Sequence, residues 1–288
     1  MSFAHPVEEL VKQRFSCRSY LSQTVEEQTR QRLVDYAAAL QTGPFGAQMR
    51  FELVAAHEKD QKALKNLGTY GFIKGAAGFI IGVIQDDEKN LEDFGYLMES
   101  IILFATDMGL STCWLGGTFT KSSFSERVSP RPGELIPAVV SLGYCAKKPR
   151  RFDAIIRNSA GAERRLSREQ LFFDSRFGVP LSREMAGDYA TALDMVRLAP
   201  SASNKQPWRI IKDTHMWHFY LQRTPGYRER MLVRLFTVAD LQRIDMGIAM
   251  CHFELMARDH GLDGHWEINA PAIEKTDEFT EYTASWVS

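Results

Sequence analysis

The sequence lacks both a net charge of either sign and a long apolar run. Its 288 residues include 35 Lys and Arg against 36 Asp and Glu, a formal charge of -1. A balanced chain has no overall field that attracts nucleic acid or an anionic membrane, so we expect neither partner. The longest apolar stretch, residues 75–84, is too short to cross a bilayer. Because Glu8 and Glu9 precede any apolar run, we expect no secretory signal and a cytoplasmic protein.

Several sequence patterns that would indicate a familiar kind of site are also missing. Cys17, Cys113, Cys145 and Cys251 form no C-x-x-C pair, which argues against a metal cage or a disulfide framework. We therefore expect free, buried thiols and no bound metal. No G-x-G-x-x-G follows a strand, and neither G-x-x-x-x-G-K-[ST] nor G-x-S-x-G occurs. Dinucleotide-fold, P-loop and serine-hydrolase interpretations thus lose their main support.

The remaining sequence alternates between helical and extended patterns, and 44% hydrophobic residues allow an ample core. A capping box at Thr24 predicts the first long helix. Two later helices are apolar over most of their circumference, so we expect them to be buried on most sides. The patterns predict helices over residues 24–40, 93–108, 182–198 and 244–260, and strands over 51–54, 78–84, 137–144, 208–211 and 217–221.

The second half of the chain repeats the first. Three features recur 152 residues later: Asp93-Phe94-Gly95, Gly109 and Trp114 match Asp245-Met246-Gly247, Gly261 and Trp266. Three earlier residues recur 158 residues later, since Phe15, Arg18 and Gln48 match Phe173, Arg176 and Gln206. These offsets indicate a duplication in which the second copy has lost six residues. The two matched aspartates are interpreted as helix caps, and His252 as a core histidine.

Two segments carry groups suited to binding an anionic ligand. In Arg14-Phe15-Ser16-Cys17-Arg18, two guanidinium groups and a hydroxyl could hold a phosphate through several hydrogen bonds. The segment Pro200-Ser201-Ala202-Ser203-Asn204 offers turn backbone and an amide. At the repeat positions Arg14 becomes Phe172 and Ser16 becomes Asp174, while Asn204 corresponds to Gly46. Each half lacks what the other has, which predicts one site built from both halves, with Asp174 repelling a phosphate from the mirrored position.

These two segments, in this order, resemble the FMN-binding elements of the nitroreductase family. The resemblance extends over nearly the whole chain, from about Val7 to Trp266. It implies an α+β fold, with a mixed, mainly antiparallel sheet and flanking helices in each half. The family usually forms homodimers with FMN at the subunit interface, so this chain resembles such a dimer fused into one polypeptide. We expect an N-terminal half over residues 1–160, a C-terminal half over 161–288, and one FMN site shared between them.

The resemblance also assigns individual residues to the cofactor. Gly116 and Gly117 follow the first buried helix where the family runs backbone past the flavin ring. The basic run 147–151 lies where the family often places side chains that reach the phosphate, and we favour Arg150 and Arg151 over Lys147 and Lys148. The complete predicted cofactor-binding set is Arg14, Ser16, Arg18, Gly116, Gly117, Arg150, Arg151, Pro200, Ser201, Ala202 and Asn204.

The resemblance implies an FMN-dependent oxidoreductase that takes electrons from NADH or NADPH and passes them to an electron-poor small molecule such as a nitroaromatic or a quinone. Because the flavin performs the redox chemistry, no catalytic side chain is expected. A flavin-binding protein that stores or sequesters FMN with little turnover is the alternative. In either case the dimer interface of the family would be internal to this chain, so we expect a monomer.

Overall fold

The computed structural model describes residues 2–55, 64, 67–146, 153, 161, 164–227 and 239–288. Its helices there are α1 (Val7–Gln13), α2 (Glu27–Ala39), α3 (Asn90–Asp107), α4 (Lys121–Val128), α5 (Arg168–Leu171), α6 (Arg183–Ala186), α7 (Ala190–Leu198) and α8 (Leu241–Asp259). The strands are β1 (Met49–Ala55), β2 (Gly78–Gln85), β3 (Ser111–Leu115), β4 (Glu134–Leu135), β5 (Val139–Gly143), β6 (Phe172–Asp174), β7 (Trp208–Asp213), β8 (Met216–Gln222), β9 (His265–Glu267) and β10 (Thr280–Val287).

Each half contributes one sheet, and the two sheets have the same strand order. The first runs β1-β2-β5-β3, with β4 also paired to β2, and the second runs β7-β8-β10-β9, with β6 added beside β7. All pairs between named strands are antiparallel except β6–β7. The α+β class, the mainly antiparallel sheets and the duplication predicted from the sequence are therefore confirmed. The boundary at 160/161 adjoins residues outside the described ones and stays a prediction.

The two long helices α3 and α8 pack against each other between the sheets. They come so close that a Cβ atom on Gly95 would overlap the carbonyl oxygen of Ile244, and one on Gly247 would overlap that of Glu92. Both the glycine pair and the carbonyl pair are 152 residues apart, so the same contact is made twice in opposite directions. Reciprocal contacts of this kind are the property of a twofold interface. The helix pair therefore forms the pseudo-dimer interface within one chain.

The duplication is less simple than one loss of six residues. Residues 56–77 separate β1 from β2, whereas only residues 214 and 215 separate β7 from β8. Before the long helix the second half has the longer connection. Residues 86–89 separate β2 from α3, whereas residues 223–240 separate β8 from α8. Six is thus the net result of a long deletion and a compensating insertion, which the offsets of 158 and 152 at the two ends of the repeat cannot reveal.

Three predictions of local structure are wrong in detail. Helix α2 begins at Glu27, and none of the described side chains caps it, so Thr24 does not open a capping box. The helix expected over 182–198 is broken into α6, a 3-10 turn and α7, because Gly187 adopts a left-handed φ of 59°. Asp93 and Asp245 lie inside their helices, and their carboxylates bind backbone amides of distant turns instead of capping the helices.

The buried positions agree with the helix predictions. Nearly all of α3 and α8 is buried, as their apolar circumference predicted. His252 is fully buried and hydrogen-bonded at both ring nitrogens, which confirms its interpretation as a core histidine. All four cysteines are free, and Cys145 alone among them is only half-buried. None of the helices that the structure describes is long and apolar enough to span a bilayer.

Candidate functional site

The N-terminal basic segment lies along the free edge of the first sheet. Beyond α1 the chain is extended, and the Cys17 amide donates to the Thr112 carbonyl of β3 at 2.9 Å. Side chains of an extended segment alternate in direction. Cys17 is accordingly buried in the protein, whereas Ser16 and Arg18 line a cavity. The β3 edge therefore aims Ser16 and Arg18 at the same space.

The partner segment from the second half forms a tight turn after α7. Ser203 and Asn204 both adopt left-handed φ values, 51° and 53°, which non-glycine residues rarely do. Two hydrogen bonds stabilise this conformation: the Ala202 amide donates to Oδ1 of Asp245, and the Gln206 amide donates to Oγ of Ser201, each at 2.9 Å. The strain is concentrated where the turn borders the cavity, as is common at binding sites.

The first cavity, with a volume of about 300 Å³, lies between the two halves. Its apolar walls come from β3 and the bend after it on one side, and from α8 on the other. Gly116 is part of that bend, and a Cβ there would collide with the Leu241 side chain of the opposite half. The lining includes Leu115, Gly116, Gly117, Leu241, Ile244 and Ile248. A mainly apolar cleft with a few polar groups is the usual form of a cofactor site.

A second cavity of about 290 Å³ continues from the first. Ser16, Arg18, Pro200, Ser201 and Ser203 line both cavities, so they form one cleft. The second cavity is basic, because Lys12, Arg14, Arg18 and Arg165 all border it. An apolar compartment therefore opens into a cationic one at the serine-rich junction.

Arg165 is a member of this basic group that the sequence analysis missed. Burial, with the nearby charges of Arg14 and Arg197, lowers its pKa to about 10. Its guanidinium donates to the carbonyls of Leu198 and Ala199 at 3.0 and 3.1 Å, which fixes its position without neutralising its charge. A buried cation that is repelled by neighbouring cations is stabilised when an anion enters. The second cavity is thus electrostatically suited to a phosphate.

Asn204 orients Arg165. Its Oδ1 accepts a hydrogen bond from Arg165 at 2.8 Å, and its Nδ2 donates to the carbonyls of Gly161 and Arg164, both at 2.7 Å. Although Asn204 lines the second cavity, its amide is engaged by the protein itself. The predicted direct contact with the cofactor stays a prediction, while the geometry assigns Asn204 a role in holding the basic wall.

A buried ionic cluster lies behind Arg14. Glu99 is fully buried, and its carboxylate lies 3.7 Å from the Arg14 Nε. The same carboxylate accepts a hydrogen bond from the Trp114 indole at 2.8 Å and meets His252 Nε2 at 3.0 Å. Because His252 belongs to α8 and Glu99 to α3, the cluster connects the two halves directly beneath the basic cavity.

Comparison with known proteins identifies the family to which this chain belongs. The model of the family described as "putative TM nitroreductase" matches residues 6–257. The chain belongs to this nitroreductase family. A crystal structure of a "putative nitroreductase" from Thermotoga maritima has a TM-score of 0.61 at 17% identity, over 100% of this chain and 95% of that one. This likeness extends through both halves, so the nitroreductase fold is present here in duplicate.

Single-unit structures match about half of the chain. An FMN-dependent nitroreductase from Clostridium difficile is 22% identical over 49% of this chain and 88% of its own, with a TM-score of 0.37. A "putative NADH oxidase" from Clostridium acetobutylicum is 21% identical over 51% of this chain and 95% of its own, with a TM-score of 0.38. No curated protein matches the sequence.

In this chain, most of the predicted cofactor-binding residues meet at one cleft. The cleft is lined by Arg14, Ser16, Arg18, Gly116, Gly117, Pro200, Ser201, Ala202 and Asn204. Arg150 and Arg151 lie outside the described residues, as do Lys147 and Lys148. Residues of both halves line the cleft.

The predicted mirrored position of Asp174 is wrong. Ser16 forms a bridge to Thr112, at the β3 edge of the first sheet. Its repeat partner Asp174 instead pairs with Lys212 of β7, at the opposite edge of the second sheet. Matched positions in the sequence are therefore not equivalent in space here, because the second copy uses this segment as an added strand. Repulsion by Asp174 cannot explain the asymmetry of the site.

Proposed function

We propose that the cleft binds one FMN per chain, with the ring in the apolar cavity and the phosphate in the basic one. The observation that carries this proposal is the convergence of Arg14, Arg18 and Arg165 on a space that opens directly into an apolar cleft between the halves. The fit is supported by the charge of Arg165, which burial and neighbouring cations destabilise until an anion is present. The family resemblance supports the same cofactor.

Each part of the cleft has a distinct role in this proposal. Arg14, Arg18 and Arg165 bind the phosphate, and the hydroxyls of Ser16 and Ser201 hold the junction between the two compartments. The glycine bend at Gly116 and Gly117 allows backbone to approach the ring face closely. The apolar side chains of α8 exclude water from the opposite face.

The chemistry supplied by bound FMN is the transfer of two electrons from NADH or NADPH to an acceptor. We propose an electron-poor acceptor, such as a nitroaromatic or a quinone, and no side-chain acid or base is required for the redox step. Because the interface between α3 and α8 is already internal, we also propose that the protein works as a monomer.

Comparison of FMN with riboflavin tests the binding site directly. Riboflavin has the same ring but no phosphate, so it should bind at least 100-fold more weakly, since charge-assisted hydrogen bonds contribute about 1.5–3 kcal/mol each. The affinity for FMN should fall as salt is added, whereas that for riboflavin should not. Equal affinities for the two flavins would contradict the assignment of the basic cavity.

Steady-state oxidation of NADH and NADPH by the FMN-loaded protein tests the activity. Nitrofurazone and menadione serve as acceptors, and turnover with either supports the oxidoreductase. Tight FMN binding with slow flavin reduction by both nucleotides would instead support storage. A protein that stays colourless after incubation with excess FMN would overturn the proposed function altogether.

A further inference from the structure

Asp245 brings a polar atom without a partner to the wall of the apolar cavity. It lies on α8, is only 3% exposed, and lines the cavity together with Ile244 and Ile248. Its Oδ1 accepts the hydrogen bond from the Ala202 amide. Its Oδ2 is buried and has no hydrogen-bond partner within the described part of the chain. Buried polar atoms are nearly always satisfied, so a lone one beside a cavity indicates a ligand contact.

The repeat partner Asp93 shows that the missing bond is specific to the cleft. At that position both carboxylate oxygens are satisfied, because the amides of Phe45 and Ala47 each donate to one of them at 2.9 Å. In the second half, backbone amides of the corresponding turn donate to carbonyls within the turn itself. The amide of Asn204 donates to the Ser201 carbonyl and that of Lys205 to the Ala202 carbonyl, so neither is free for Asp245.

The surroundings of Asp245 favour the protonated acid. Burial raises its pKa well above the usual range, Asp240 raises it further, and the single Ala202 amide opposes this only in part. A protonated carboxyl group has one carbonyl oxygen and one hydroxyl. Since Oδ1 accepts the Ala202 hydrogen bond, Oδ2 carries the proton and acts as a hydrogen-bond donor.

A second donor borders the same cavity. The hydroxyl of Tyr227 is buried, and the described residues offer it no hydrogen bond of normal geometry, although Ser203 lies near it. Burial raises its pKa to about 12, so it too keeps its proton. The apolar cavity therefore holds two neutral hydrogen-bond donors that have no partner of normal geometry among the described residues.

We infer that Asp245 binds the ligand of the apolar cavity by donating its Oδ2 proton to an acceptor oxygen or nitrogen of a heteroaromatic ring, with Tyr227 as a second donor. This inference rests on the proposed function, in which that ring is the flavin. It assigns Asp245 to ring binding and separates it from the arginines, which bind the phosphate. An asparagine at position 245 would preserve the arrangement, since its oxygen accepts from Ala202 and its NH₂ group donates to the ring.

The test compares Asp245→Asn, Asp245→Leu and Tyr227→Phe by titration of flavin fluorescence at neutral pH, with FMN and with riboflavin. We expect Asp245→Asn to bind FMN within threefold of the unchanged protein. Asp245→Leu should bind at least tenfold more weakly, and Tyr227→Phe severalfold more weakly. Because the donors face the ring, these losses should be the same for riboflavin, which has no phosphate. Asp93→Asn is the matched control and should leave flavin affinity unchanged.

The outcomes separate this inference from the proposed function. If the unchanged protein binds neither flavin, both fail. If it binds FMN and Asp245→Leu binds equally well, only the role of Asp245 is refuted. If Asp245→Asn is weakened as much as a folded Asp245→Leu, the carboxylate accepts and the donor assignment is wrong. Should Asp245→Leu not fold, the near-native affinity expected of Asp245→Asn and the ring-specific loss expected of Tyr227→Phe still decide the question.

Discussion

Replacing either interface glycine by alanine should destabilise the protein, and by a similar amount at both positions. A Cβ on Gly95 or Gly247 would lie well inside 3.0 Å of a helix carbonyl oxygen, a separation that real Cβ atoms do not show. Backbone oxygens cannot rotate away, so the two helices must separate. Such overpacking costs about 3 kcal/mol, whereas the better helix propensity of alanine returns about 1 kcal/mol.

The expected net loss is therefore about 2 kcal/mol in the free energy of unfolding for each variant, measured by denaturant titration. Since the cleft lies between the halves, both variants should also bind FMN at least tenfold more weakly. Gly46→Ala is the control, because no atom lies within 4 Å of a Cβ there and only its left-handed φ of 95° opposes the change. It should leave FMN affinity unchanged. If Gly95→Ala and Gly247→Ala instead gain about 1 kcal/mol, as exposed helix glycines do, the close helix pair is refuted.

Three further predictions concern the site and its supports. Arg18→Ala should weaken FMN binding by 10-fold to 100-fold, as expected for about 1.5–3 kcal/mol, whereas Arg176→Ala, at an exposed arginine that does not line the cleft, should not; equal effects would contradict the assignment of Arg18 to the basic cavity. Arg14→Phe should abolish the visible absorbance of bound flavin completely, because the proposed arrangement has no second site that would bind FMN. Residual binding of one FMN per chain would contradict the single site. Burial raises the pKa of Asp93 to about 6, so the folded state holds this proton more tightly than the unfolded state. The free energy of unfolding of the unchanged protein should then fall by up to about 3 kcal/mol, relative to that of Asp93→Asn, as the pH rises from about 4 to about 6. A difference between the two proteins that stays constant with pH would refute the effect of burial.

Local patterns were enough to predict the long helices and several strands, since continuous apolar runs require burial wherever they occur. The repeat predicted one site shared by the two halves, and this stays a prediction, because the compared segments at Ser16 and Asp174 are not equivalent in space. Strand β10 was not predicted although Thr280–Val287 is rich in β-branched and aromatic residues, because it lies beyond Trp266, the last residue that matches between the copies. The sequence pattern of one copy does not show which segments the other copy has lost.

Contacts between distant segments could not be derived from the sequence. Arg165 reads as part of a solvated basic stretch, and only the fold brings it beside Arg14. Asp93 and Asp245 occupy matched positions in the repeat, yet among the described residues both carboxylate oxygens of Asp93 are hydrogen-bonded and only one of Asp245 is. The difference arises from two left-handed residues in a turn some 40 residues away, which no helix pattern encodes.

We propose one flavin site built from both halves of a monomer. Its most direct test is the mass of the FMN-loaded particle in solution, measured together with the flavin-to-chain ratio from its visible spectrum. We expect one FMN per chain in a particle of about one chain mass, 32.8 kDa before the cofactor is added. Two flavins per chain, or flavin bound only by a dimer of chains, would contradict it.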